Sequence, residues 1–193
     1  MDYPFKKLKD SFETLVEDTN KAHEEMMKHG TQYTRRVFVR TALASIENFI
    51  YVIKILTLQY SQITDANFSL SELALLKEES YELSNRGKAQ VRPKFLRLLD
   101  NFRFAASCLT KTFGSDFKLD VEGEGWRCFR ELVEIRHRIT HPKPGRSLEI
   151  TNEDMQICGK GMNWFWDNAK ILFDIVIESG LLTPGFGKEP APP

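Results

Sequence analysis

Arg136 and His141 stand five residues apart inside Glu131–Lys143, read ELVEIRHRITHPK, which also crowds His137, Arg138 and Thr140 together just before Pro142. An imidazole titrates near neutral pH and can take up or release a proton in a reaction. A guanidinium offers a planar fork of donors to an oxyanion such as phosphate. Leu132, Val133, Ile135 and Ile139 share one apolar face, so the stretch reads as an amphipathic helix. The residue before a proline is pushed out of the α region, which predicts that the helix ends at His141. Positions five apart on an unbroken helix lie about 140° around the axis from each other. A break at His141 lets its ring swing back toward Arg136.

An Arg, four to six residues of which the first is polar, then a His, late in a helical chain, resembles the motif of the HEPN superfamily (higher eukaryotes and prokaryotes nucleotide-binding domains). Here it reads Arg136, His137-Arg138-Ile139-Thr140, His141. The resemblance implies an all-α, HEPN-like fold, a homodimer with two motifs facing one cleft, and a metal-independent endoribonuclease needing no cofactor, in a toxin-like or phage-defence role. Arg136 and His141 would then be catalytic, leaving a 2′,3′-cyclic phosphate and a 5′-OH on RNA. His137, Arg138 and Lys143 would support them or bind flanking RNA. Some family members carry, two positions after the His, a Tyr modified by a nucleotidyltransferase antitoxin; this chain has Lys143 in that place.

Three other readings of the same residues stand beside this one. Arg136 and His141 can simply cap a helix C-terminus, where the dipole favours cations. His137 and His141, at i and i+4, have the spacing of a zinc-binding pair, although Arg138 lies between them and no Glu base does. The domain can also be a HEPN-like module that binds a nucleotide or a protein and cuts nothing.

Lys plus Arg and Asp plus Glu number 27 each, so no global field draws the chain to nucleic acid or membrane. Trp126–Arg146 is locally basic, with six Lys or Arg against two Glu. That suits either a phosphate-bearing ligand or an ordinary solvated face. Cys108, Cys128 and Cys158 form no CxxC pair and read as small core residues. The N-terminus has no apolar leader region, and no apolar run of spanning length is free of charge. Cytoplasm is therefore the default expectation.

The elements that must position the motif read as an all-α, up-and-down bundle of five to six helices. Residues 1–182 make one domain, with 1–30 as an extra N-terminal helix, and 183–193 form a disordered tail. Helical periodicity predicts helices over about 4–28, 31–62, 69–81, 93–112, 126–140 and 152–179. The polar stretch 82–92, containing Gly87, reads as a connection or mobile flap, and Pro93 as the first turn of the fourth helix. Arg36, Arg40, Glu47 and Lys54 line one flank of the long second helix. The simplest account is a solvated row pairing along its own helix. The sharper alternative makes Glu47 and its neighbour Asn48 polar companions of Arg136 and His141. Trp166 reads as core, Trp126 as packed under the motif helix, and Trp164 as lying off the apolar stripe.

Overall fold

The apolar stripe of the long second helix becomes the centre of the molecule. A computed structural model describes residues 5–145 and 147–180, without the side chains of Phe5 and Lys6. In order they form α1 (Phe5–His29), α2 (Gln32–Ser61), α3 (Leu70–Leu76), β1 (Glu79–Leu83), β2 (Ala89–Pro93), α4 (Leu98–Phe113), α5 (Glu124–Thr140) and α6 (Asn152–Glu178). The all-α helical bundle expected from periodicity is what the chain adopts. α1 packs along α2, α6 along α5, and α4 against α2. The expected disordered tail, 183–193, lies outside the described residues.

Local signals explain the helix limits. Thr31 caps α2 by accepting from the Thr34 N–H, while Gly30, at φ +60°, makes the tight turn out of α1. Ser69–Glu72 and Thr151–Asp154 are complete capping boxes opening α3 and α6.

Leu43, Ile46, Ile50 and Ile53 of α2 meet Phe102 and Leu109 of α4, Phe129 and Leu132 of α5, and Phe165 and Leu172 of α6 in one core. α2 is long and apolar enough to cross a membrane, but 61% of the qualifying window is buried inside the bundle, the behaviour of a core helix. The three tryptophans join this core rather than a surface platform. Trp164, off the apolar stripe in sequence, packs on Trp126 at 5.3 Å and Phe129 at 5.5 Å between ring centroids. Cys108, Cys128 and Cys158 are buried and free, and burial pushes the Cys108 and Cys158 thiols up to about 12.

Residues 79–93 correct the sequence reading. They are a β-hairpin, not a connection, with Tyr81 opposite Val91 and Leu83 opposite Ala89. The third helix stops at Leu76 instead of running to Tyr81, because Glu78 takes a left-handed turn at φ +55°. Pro93 ends β2 rather than opening α4, which starts at Leu98. Proline can sit at a strand end, where no ladder donor is required. Ser84–Lys88 closes the turn, with Gly87 at φ +69°. Only two apolar residues alternate on each short strand, too few to stand out against the polar composition.

Candidate functional site

α5 is held at close range to α6. A Cβ at Gly161 would lie 2.8 Å from the Cys128 carbonyl oxygen and 2.9 Å from the Phe129 Cα, so only glycine lets the two helices approach this closely. The buried residues Leu132, Ile135 and Ile139 fix the rotation of α5 and turn Arg136 and His137 outward. The helix ends where the proline rule placed it. His141 leaves the α region at φ −121°, ψ 70°, and donates its N–H to the His137 carbonyl.

The row on α2 is not a solvated one. Arg40 donates to the Ile139 carbonyl at 2.7 Å, supplying a partner to a last-turn oxygen of α5. Arg36 donates to the Leu148 carbonyl, and Arg35 and Gln32 both donate to the Ile150 carbonyl. The described residues between Pro142 and α6 form no regular element, and these side chains supply partners to their carbonyls. Glu47 pairs with the Arg136 guanidinium at 3.2 Å. Lys54, fully buried, reaches Glu78 at 2.9 Å and Asn101 at 3.0 Å. Burial depresses the Lys54 pKa, and the Glu78 carboxylate partly offsets it.

The candidate residues therefore divide. Arg136, with a side chain 32% exposed, and Glu47 stand together. His137 and His141 are exposed one turn apart, ring centroids 5.0 Å from each other. Asn48, proposed with Glu47, turns the other way: its amide donates toward Ser11 on α1, because adjacent helix positions do not face the same neighbour. Arg138 also leaves the group. It binds the Glu149 carbonyl and Asp154 at the start of α6, two residues round the helix from Arg136. Burial raises the Asp154 pKa, but hydrogen bonds from Thr151 and Arg138 outweigh it and hold the carboxyl below its usual range. Lys143 is exposed beyond the helix end. Arg146, counted in the basic stretch, lies outside the described residues.

Arg136 and His137 line a groove of about 900 Å³ between α2, α5 and the segment joining β2 to α4. His141 lies outside this wall, and no hydrogen bond or ion pair joins it to Arg136. Tyr51, Phe95 and Arg97 also line the groove, and sequence reading assigned none of them to a site. Tyr51 was legible, one helical turn beyond Glu47 on the same flank. Phe95 was not, since its periodicity placed it within a helix that starts three residues later. Among the described residues no three His, Cys, Asp or Glu side chains gather as a metal site. Chemically, the arrangement offers a guanidinium held by a carboxylate and one exposed imidazole on the wall of an open groove, with a second exposed imidazole outside that wall. Comparison with family models, with curated proteins and with solved structures finds no match to this chain.

Proposed function

We propose that this chain is a metal-independent endoribonuclease of the HEPN type, working as a homodimer in a toxin-like or defence setting. The observation carrying this reading is the end of α5: Arg136 is held by Glu47 on a groove wall, His137 stands beside it in the same wall, and His141, exposed five residues on, lies ring to ring with His137. RNA brings its own nucleophile, so the protein has only protons to move and charge to stabilise. His141 takes the proton from the ribose 2′-OH. The 2′-oxygen attacks phosphorus, the bond from phosphorus to the 5′-oxygen breaks, and the leaving oxygen takes a proton from a second imidazole at the cleft. Arg136 meets the charge growing on the non-bridging oxygens. A 2′,3′-cyclic phosphate and a 5′-OH result, and DNA survives. A partner antitoxin belongs to this reading as a regulator, but Lys143 stands where a nucleotidyltransferase antitoxin would modify a Tyr, so that form of regulation lacks its target here.

The test is cleavage of mixed RNA by the full chain in EDTA, with the ends of the products identified. His141→Ala should lower the rate by a factor of about 10²–10⁴, and Arg136→Ala should do likewise while the fold, read by circular dichroism, persists. RNA left intact by the native chain sinks the proposal.

A second reading, a nucleotide- or protein-binding module without catalysis, is favoured by one observation. Glu47 already satisfies the Arg136 charge in the free protein. Glu47→Gln separates the two. It releases the guanidinium and strengthens binding of a phosphate-bearing ligand in either case, but it produces cleavage products only if the site is catalytic.

A further inference from the structure

The basic residues of this neutral chain occur in two settings. Around α5 most are engaged: Arg127 with Glu124, Arg136 with Glu47, Arg138 with Asp154. From Leu83 to Leu99 the chain holds five cations (Arg86, Lys88, Arg92, Lys94, Arg97) and no carboxylate. Arg92 pairs back to Glu82 across the hairpin. Arg86, Lys88, Lys94 and Arg97 are exposed and make no ion pair with any described carboxylate. They run from the hairpin turn, along β2, to the wall of the groove that holds Arg136.

At the groove end of this run, Phe95 is 95% exposed, although it is a large aromatic ring beside a formed groove. Its backbone is not loose. The Lys94 N–H is bound to the Glu78 carbonyl at 2.7 Å, and the Glu78 side chain is tied to the buried Lys54. The arm thus has a fixed base on α2, and its left-handed Glu78 is held by that base.

We propose that this hairpin and the segment after it bind single-stranded RNA, with backbone phosphates along Arg86, Lys88, Lys94 and Arg97 and one base stacked on Phe95, leading the strand into the groove at Arg136. A row of unpaired cations with an exposed ring at its end is the arrangement that holds single strands without reading sequence. It rests on the RNA-directed reading of the same groove, but it concerns binding and can be measured without cleavage.

The probe is a fluorescent 2′-O-methyl oligouridine of about 12 nucleotides, which lacks the attacking hydroxyl. Anisotropy of the full chain is followed against salt. Four phosphate contacts give a slope of log K on log salt near −2.8, at about −0.7 each for single strands. Arg86→Ala/Lys88→Ala/Lys94→Ala should reduce that slope by about 2. Phe95→Ala should weaken binding about tenfold with the slope unchanged. All four residues are exposed, so melting temperatures should stay at the native value. Native affinity and slope in the triple variant overturn the proposal. So does failure to bind the oligonucleotide when the chain binds vesicles of phosphatidylcholine with phosphatidylserine, which makes the arm a membrane contact. Binding as expected, with unmodified RNA left uncut, upholds this inference and removes the nuclease reading. Cleavage with native oligonucleotide affinity in the triple variant does the reverse.

Discussion

Glu47 and Lys54 lie two turns apart on the same flank of α2, and each pairs with a charge from another element, yet the two pairs do different work. Lys54 is sealed in the core, satisfied by Glu78 and Asn101, and fixes the base of the hairpin. Glu47 is 44% exposed and its partner Arg136 is 32% exposed, at the wall of an open groove. A desolvated ammonium cannot lose its partner cheaply, whereas a wet ion pair can be exchanged for another anion at little cost. The first pair is therefore architecture. The second is a solvated pair that, under the proposed function, a phosphate displaces.

The strongest way to break this contrast is Lys54→Ala, which strands Glu78 and leaves a cavity. It should cost about 3–5 kcal/mol, read by urea denaturation. Lys54→Met, which strands Glu78 equally but keeps the volume, should recover only the cavity part of that loss. If the alanine variant loses under about 1 kcal/mol, the buried pair is no clamp.

Arg138→Ala tests an intermediate case, since Arg138 is 26% exposed and serves both the Glu149 carbonyl and Asp154. A loss of about 1.5–2 kcal/mol is expected. Asp154 has a folded pKa below its ordinary 3.8. Its contribution is present above that value and is lost as pH falls through the depressed one. The variant should consequently show a flatter stability profile in acid.

Alkali sharpens the comparison from the other side. The folded Lys54 pKa lies below its ordinary 10.5, so between the two values the unfolded chain holds more protons. Stability due to Lys54 then rises with pH over that window, and Lys54→Met removes the rise. The buried Cys108 and Cys158 thiols act oppositely, their contribution falling as pH climbs from 9.0 toward about 12. Subtracting the variant's profile from the native one isolates the lysine.

The smallest effect belongs to Glu47→Gln. It should change stability by less than about 1 kcal/mol, and less still in high salt, while tightening binding of the oligoribonucleotide. Weaker binding would mean that Glu47 holds Arg136 in its working position instead of occupying it.

How much of this was legible depends on the period of each signal. Helix limits at Thr31, Ser69, His141 and Thr151 follow from caps and a proline, all local features. The hairpin escaped notice because strands this short, exposed along most of their length, lack the alternation that burial imposes. Phe95 was misplaced with it. At the site, Glu47 could be suspected from sequence but Arg138 and Asn48 could not be dismissed, since only packing says which flank of a helix meets a neighbour.

The chain by itself determined where helices begin and end, which stripe of α2 goes inside, and that Arg, His and His crowd one helix terminus. These depend on propensity and period, which act over a few residues. Tertiary structure alone decided that Lys54 is buried while Glu47 stays wet, that Arg40 closes the last turn of α5, and that Arg86 and Lys88 face solvent without an ion pair to any described carboxylate while Arg92 pairs with Glu82. Such outcomes depend on the dielectric around each charge and on which neighbour a flank meets, and both are set by segments distant in sequence.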